Sequence, residues 1–351
     1  MATLKEVAKR ALVSTATVSK VLSNTPYVSD ETRQRVLTAI DELGYVPNLA
    51  ARALSKGRTY IIGVIFPYNY DHLFGDPLIL TMIEGIEAVC TERQYNMLIS
   101  TPRIPVKESE QYHRLVRSGY LDGVIAFETM PQEPVTTLLT SYGYPWIAIG
   151  YRSAMGHSSV IHPDDFIGAK AAAQHIIALG HRHIAIIGVE AASLTAAEQR
   201  IAGYRAAFDE AGLPFDKVPQ VVGNFSVESG YQAAEALLRL TPRPTALLCL
   251  NDRMAMGAMQ RARSLNLNVP DDLSVVGFDD IPSALYSNPS LTTVRQPAHE
   301  IGVKAAEVIF DLIEGQKQPQ RAYYQGFAPV IFPTELIIRQ STAPVLSAQP
   351  R

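Results

Sequence analysis

The chain has 351 residues, 47% of them hydrophobic and 19% charged, with a net charge of -3. That is enough apolar material for large buried cores and too much for a disordered chain; the length suggests two or three domains. No run of 18 apolar residues is present, which excludes a membrane-spanning helix. The charge is uneven. Residues 1–60 carry nine Lys/Arg against five Asp/Glu, +4, leaving -7 on the rest. A basic head on an acidic body points to a nucleic-acid partner for the head.

The first helix is expected to start at a capping box, Thr3-x-x-Glu6, with an apolar stripe of Leu4, Val7, Ala8 and Ala11. Ser14 is a plausible N-cap for the second helix. That helix has a polar face of Thr15, Ala16, Thr17, Ser19 and Lys20 and an apolar face of Val18, Val21 and Leu22. Such a helix can rest on a core and lie in a DNA major groove at once. Ser29 is expected to cap the third helix, with Val36, Leu37, Ile40 and Leu43 inward and Gly44 as its stop. Pro47 then opens a short Ala- and Leu-rich segment, 48–54, too short for a stable isolated helix.

From Tyr60 the texture changes to buried-strand runs at 61–66, 97–100, 123–127, 146–149, 183–188, 246–250 and 274–278. Helical patterns at 82–92, 169–179, 201–211 and 230–240 lie between them. Alternation of this kind predicts α/β folding with doubly wound parallel sheets, enough strands for two, and ligands at the carboxyl ends of the strands. Cys90 and Cys249 sit in separate apolar runs and are expected to be buried reduced thiols. His162, His181 and His183 lack metal-ligand spacing and are expected to be structural or surface residues, with no metal and no cofactor. The opening Met-Ala-Thr-Leu-Lys-Glu has no apolar signal region, so a cytoplasmic location is expected. The last residues hold Pro344 and Pro350 and no heptad; 342–351 is expected to be a disordered tail.

The motifs Val13-Ser-x-x-Thr-Val-Ser19, Val28-Ser-x-x-Thr-Arg33 and Leu43-Gly-Tyr-x-Pro-Asn48 together resemble the LacI/GalR family of bacterial transcription regulators, with a head close to the purine repressor branch. In the body Gly85-Ile-Glu87, Leu179-Gly-His-Arg182, Arg200-Ile-Ala-Gly-Tyr204, Asn251-Asp252 and Val276-Gly-Phe-Asp-Asp280 are similar to family landmarks. The resemblance implies a helix-turn-helix head over 1–46, a hinge helix and linker over 47–58, and an effector-binding and dimerisation body over 59–341. That body would be periplasmic-binding-protein-like, with subdomains 59–161 plus 292–324 and 162–291 plus 325–341. It implies a homodimer on palindromic operator DNA: a repressor of carbohydrate-utilisation genes whose operator affinity is controlled by a small sugar-type effector bound between the two subdomains.

Residue roles follow from the same resemblance. Thr15, Ala16 and Lys20 stand where base-reading side chains sit, and Ser14, Thr17 and Ser19 where hydroxyls meet phosphates. Thr3, Asn48 and Ala51 join the DNA-binding set, and Leu54 matches a leucine that wedges into the minor groove. Leu12 departs from the usual turn-tolerant residue and would carry strain if that turn needs a positive φ. Lys20 replaces the more usual Arg, which puts bidentate reading of guanine in doubt.

For the effector, Asp76, Arg200, Phe225, Asn251 and Asp279 match cleft positions, with Asp164 and Arg152 as further candidates. An Arg, an amide and a carboxylate suit a polyhydroxylated ligand, and Asp76-Pro77-Leu78-Ile79 lacks the aromatics that would stack a purine. Other readings stay open: Asp279-Asp280 as a cap and turn pair with Asp280 the structural member, Arg200 as a surface helix residue, Phe225 as an apolar wall, and a nucleobase or other metabolite as effector. An enzyme would need a catalytic motif, and no G-x-S-x-G, P-loop, G-x-G-x-x-G or H-E-x-x-H is present. A secreted sugar-binding protein is opposed by the basic head. The apolar faces around 82–86 and 254–259 are expected to form the dimer contact.

Overall fold

The computed structural model describes residues 2–22, 26–45, 58–66, 73–101, 110–127, 134–150, 160–189, 195–315 and 329–345. They form two compact units, 1–60 and 61–351. Asn48, Ala51, Leu54 and Arg152 lie outside the described residues.

The head holds α1 (Leu4–Arg10), α2 (Thr15–Leu22) and α3 (Asp30–Leu43). Its core is Val7, Ala8, Ala11, Val18, Val21, Val36 and Ala39. The Thr3 hydroxyl accepts from the Glu6 N–H while the Glu6 carboxylate accepts from the Thr3 N–H, so the capping box is complete. Ser29 caps α3, and Gly44 ends it in the left-handed region at φ 56°. One inward residue differs from expectation. Leu37 is 42% exposed. Ala39, three positions after Val36, takes its place, because the i, i+3, i+4, i+7 stripe runs 36, 39, 40, 43.

The body is built from two parallel sheets. In the first, β1 (Ile61–Ile65), β2 (Asn96–Ser100), β3 (Gly123–Phe127), β4 (Trp146–Ile149), β5 (Val160–Pro163) and β11 (Val330–Phe332) run in the order β11-β5-β4-β3-β1-β2. In the second, β6 (Ile184–Val189), β7 (Gln220–Gly223), β8 (Ala246–Cys249) and β9 (Ser274–Val276) run β7-β6-β8-β9. A small antiparallel pair joins β10 (Thr293–Arg295) to β12 (Glu335–Ile337). Nearly every residue of β3, β6 and β8 is buried, as strands covered on both faces require.

The covering helices of the first lobe are α4 (Pro77–Glu92), α5 (Glu110–Arg117), α6 (Pro134–Ser141) and α12 (Ala298–Gly315). Those of the second are α7 (Asp165–Ala178), α8 (Thr195–Glu210), α9 (Val227–Leu238) and α10 (Asp252–Ser264); the short α11 (Pro282–Tyr286) follows β9. Helices α4 and α12 touch backbone to backbone. A Cβ on Gly85 would stand 2.2 Å from the His299 carbonyl oxygen, so only glycine fits there.

Several expectations need correction. Residues 325–341, expected in the second lobe, include β11, which pairs in parallel with β5 at the edge of the first sheet. The return crossing therefore follows Phe332. The strands β5, β7, β10, β11 and β12, of three or four residues each, lie outside the expected runs. Helix α4 starts at Pro77 rather than 82, because Asp76 caps it and Pro77 fits its first turn. Within the stretches 82–86 and 254–259, expected to carry the dimer contact, Glu84 is exposed and Met256 half-buried while the rest are buried. Met82, Ile86, Met254 and Met259 are buried within the chain, in the packing of α4 on α12 and of α10 on α9.

The tail is ordered further than expected. Ser341 is fully buried, and Val345 N–H donates to the Leu179 carbonyl at 3.0 Å. Cys90 and Cys249 are buried free thiols, and burial pushes both upward, Cys90 to about 11. Among the described residues no helix is long and apolar enough to cross a membrane, and no three His, Cys, Asp or Glu side chains could together hold a metal ion.

Candidate functional site

In the head, α2 presents Thr15, Ala16, Ser19 and Lys20 to solvent with Thr17 half-buried, while Val18 and Val21 are in the core. The amphipathic division read from the sequence is therefore present. Ser14 accepts from the Thr17 N–H at 3.1 Å, and the two hydroxyls are hydrogen-bonded at 2.9 Å. The Ser14 cap fixes the first turn of α2, where orphan backbone N–H groups and hydroxyls can meet a phosphate. Thr3 is exposed, but its hydroxyl serves the α1 capping box. The Thr3 N–H and hydroxyl hold the Glu6 carboxyl below its ordinary range.

The turn into α2 is made by Leu12 at φ 56°. The Leu12 N–H donates to Lys9 and the Val13 N–H to Ala8. This left-handed cap is one that glycine usually fills. Leu12 gains no burial from it, being 83% exposed. The strain expected for a leucine at this position is present.

In the body, a polar cluster lies at the carboxyl ends of β6 and β8. Arg200, on α8, is only 5% exposed. Its Nε donates to Asp165 Oδ1 at 2.8 Å, its Nη1 donates to the Leu250 carbonyl, and Nη1 lies 3.5 Å from Asp279 Oδ1. The guanidinium also sits 3.8 Å from the centre of the Phe278 ring. Arg200 is thus not a surface helix residue. Burial pushes Asp165 and Asp279 above the ordinary carboxylate range, with Arg200 pulling each back.

Asp279 stands at φ 114° and accepts from Gln296 Nε2 at 2.6 Å. Its neighbour Asp280 points elsewhere, pairing with Arg295 at 2.7 Å and Arg339 at 2.6 Å. The structural role expected for Asp280 is what the geometry gives. Asn251 caps α10 by accepting from Met254 N–H at 2.9 Å, and its Nδ2 donates to the Phe225 carbonyl at 3.1 Å. Phe225 stands at φ 65°. The Phe225 ring is half-buried against the second lobe's core, consistent with the wall reading. Asp252, fully buried, accepts from Thr293 Oγ1 and from Ile281 N–H.

Asp76 reaches this cluster from the first lobe. Its Oδ1 accepts from Leu78 N–H at 3.1 Å, and Oδ2 lies 3.5 Å from Arg253 Nη1 on α10. Leu78 packs against the second lobe's core. The charge of Asp76 is felt at Asp279, which it helps to push upward. Asp76, Arg200, Phe225, Asn251 and Asp279 are therefore gathered where the lobes meet. Asp164 instead caps α7, accepting from Ile167 N–H at 3.0 Å.

Sequence reasoning missed Asp165, Gln296, Phe278 and Arg253. Asp165 had a weak signal in the Asp164-Asp165 pair, since adjacent side chains diverge and the two can take different roles. His181 is structural: Nδ1 meets Thr245 Oγ1 at 2.9 Å and Nε2 the Ala343 carbonyl at 3.0 Å.

Residues 3–48 match the model for bacterial regulatory proteins of the lacI family, and residues 173–342 that for a periplasmic binding protein-like domain. The chain is 35% identical over 326 residues to the HTH-type transcriptional repressor PurR of Escherichia fergusonii, covering 91% of this chain and 93% of that one. Among solved structures it is similar to the lac repressor dimer bound to operator and the anti-inducer ONPF, with TM-score 0.84, 26% identity, and 97% and 99% coverage. It is also similar to a complex of the transcriptional regulator CelR with cellobiose, with TM-score 0.74, 29% identity, and 97% and 100% coverage. These relatives are regulators of transcription rather than enzymes, and with its helix-turn-helix head and two-lobed body the chain belongs to the lacI family of DNA-binding transcriptional regulators.

Proposed function

We propose that this protein is a repressor that binds a palindromic operator as a homodimer and takes a small sugar-type effector between its two lobes. The observation that carries the reading is the convergence of Asp76 from the first lobe with Arg200, Asn251 and Asp279 from the second. Carboxylates that accept hydroxyl protons and a guanidinium that donates suit a polyhydroxylated ligand. The cellobiose-bound and operator-bound relatives support a sugar and a dimer on DNA. A nucleobase is the second reading, favoured by the likeness of the head to the purine repressor branch. Leu78 and Ile79 offer no aromatic platform for one. The proposed site residues on DNA are Thr3, Ser14, Thr15, Ala16, Thr17, Ser19 and Lys20, with Asn48, Ala51 and Leu54 beyond the described residues.

The effector must favour one arrangement of the lobes, since equal affinity for two arrangements shifts nothing. Anisotropy titrations of the purified protein on a palindromic DNA library, over a salt series, test the DNA half. Binding that weakens steeply with salt supports it. Lys20→Ala is expected to lower the ratio of specific to non-specific affinity by about ten- to a hundredfold, because it removes a base-reading cation. Thermal-shift screening with cellobiose, ribose and hypoxanthine tests the effector half. A response to hypoxanthine alone would replace the sugar.

A further inference from the structure

Two histidines hold the end of the chain. Residues 341–345 strap across the amino ends of β6, β8 and β9, the opposite end of the second sheet from the Arg200 cluster. Ser341 is anchored by groups that do not titrate, Val275 and Thr292. Beyond it the contacts change character. His181 is 2% exposed; its Nε2 meets the Ala343 carbonyl at 3.0 Å and its Nδ1 the Thr245 hydroxyl at 2.9 Å. Nε2 of the half-buried His175, in the last turn of α7, meets the Thr342 hydroxyl at 3.0 Å. Ser274, Thr292 and the backbone bond from Val345 to Leu179 add to these. Gly180 lies directly beneath, where a Cβ would stand 3.1 Å from Val345 Cγ1.

The surroundings of both rings are neutral or positive. The strap contributes hydroxyls and carbonyls, as do Thr245 and Ser274. From the turn before β6 comes Arg182, whose Nη1 donates to the Ile177 and His181 carbonyls and so occupies the end of α7 that could otherwise favour a cation. His183 and Arg243 are exposed. Charged groups on the neighbouring elements are directed elsewhere: Glu210 of α8 to Lys170 and Gln174, Arg295 and Arg339 to Asp280, and Asp272 to the Asn268 N–H. Burial lowers the proton affinity of both rings; His181 adds to this at His175 and Arg182 at His181, while the Ala343 carbonyl pulls His181 the other way. Because Nε2 of His181 faces a carbonyl, an added proton goes to Nδ1. Thr245 then stops donating there and turns its hydroxyl to the His183 carbonyl, 3.3 Å away.

We propose that the strap is a proton-operated latch: it stays closed over neutral His175 and His181 and opens from Thr342 outward when they become charged. The sign follows from linkage. Lifting the strap returns both rings to water, where a proton binds more readily, so acid favours the open form. The contribution to closure is full above 6.5, the ordinary histidine value, and is lost as pH falls. The latch rests on neither the effector nor the DNA reading.

The test follows amide exchange at Ala343 and Val345 in the full-length protein from about pH 5 to about pH 7.5. Protection is taken relative to an unfolded peptide at the same pH, which cancels the intrinsic pH dependence of exchange. It is expected to fall about tenfold towards the acid end while the amides of β6 and β8 keep theirs. The double variant His175→Gln, His181→Gln keeps a donor towards Thr342 and Ala343 but cannot titrate, and is expected to show no such fall. Flat protection in wild type overturns the latch, as does an equal fall in the double variant. An equal loss in β6 and β8 means that the whole lobe opens, and overturns it too. Should the double variant not fold, histidine ring titration of the full-length wild type by nuclear magnetic resonance decides. The midpoints of His175 and His181 are expected to coincide with the pH at which protection falls; a fall where neither ring titrates overturns the proposal.

Discussion

Arg200 is held first by Asp165, at 2.8 Å through Nε, and only at 3.5 Å by Asp279. All three are buried, so removing the cation would leave two carboxylates without their counter-charge. Breaking a buried pair from one side costs about 3–5 kcal/mol. Arg200→Ala is therefore expected to lower the thermal midpoint as well as weaken effector binding. A pure ligand residue would lose effector binding with stability intact, and the packing of Arg200 argues against so clean a separation. Asp165→Asn is the sharper variant, because it keeps a hydrogen-bond acceptor for Arg200. Calorimetry of both variants checks this; an unchanged midpoint in Arg200→Ala would show that the pair contributes nothing to folding.

A second expectation concerns pH. Burial pushes Asp252 up to about 7 from an ordinary 3.8, against the opposing hydrogen bonds from Thr293 and Ile281. A carboxyl raised on folding binds its proton more tightly in the native state. Its stabilising contribution is full below about 4 and declines as pH rises towards 7. His175 and His181, pushed down by burial from 6.5, act in the opposite sense: their contribution is present above 6.5 and is lost as pH falls. The comparison must therefore be a difference. Denaturant midpoints of wild type minus Asp252→Asn, taken from pH 4.5 to 7, are expected to fall with rising pH. A flat difference would mean that Asp252 stays ionised throughout.

Much of this was legible in the sequence where a local rule acts alone. The capping box at Thr3 and Glu6, the Ser29 cap and the Gly44 stop depend only on neighbouring residues, and each is present. The buried runs of β3 and β4 were placed to the residue, because strands covered on both faces leave continuous apolar stretches. What failed was set by distant partners. Asp165 meets Arg200 from 35 positions away, and the edge strand β11 joins β5 across the whole second lobe. No local pattern encodes either. Leu37 is a different case: the helical stripe 36, 39, 40, 43 leaves it outside, so its exposure follows from local periodicity rather than from its own apolar character.

Leu12 offers a test of strain. A leucine in the left-handed region costs about 1–2 kcal/mol, and glycine avoids this at an entropic cost of about 0.5–1 kcal/mol. Since Leu12 is 83% exposed, its side chain returns little through burial. Leu12→Gly is expected to stabilise the head by about 0.5–1 kcal/mol. Amide exchange within α1 and α2 would register this as slower opening. Faster exchange would mean that the exposed leucine makes a stabilising contact in solution.

The last expectation concerns residues 342–345, which strap the chain's end to the second lobe. Ala343 N–H donates to Ser274 Oγ at 3.1 Å, and the Ala343 carbonyl faces His181 Nε2 at 3.0 Å. Facing a carbonyl, Nε2 must carry the proton, so Nδ1 accepts from the Thr245 hydroxyl. Thr342 Oγ1 meets His175 Nε2 at 3.0 Å, and Val345 closes on Leu179. Truncation after Ser341 would strip partners from His175, His181 and Ser274 together. Each buried group left unsatisfied costs about 1–3 kcal/mol before water fills the gap, so a fall of several degrees in the thermal midpoint is expected. Truncation after Val345 retains every one of these contacts and should leave the midpoint close to that of the full chain. Equal midpoints for the two truncations would show that the strap lies on the lobe without stabilising it.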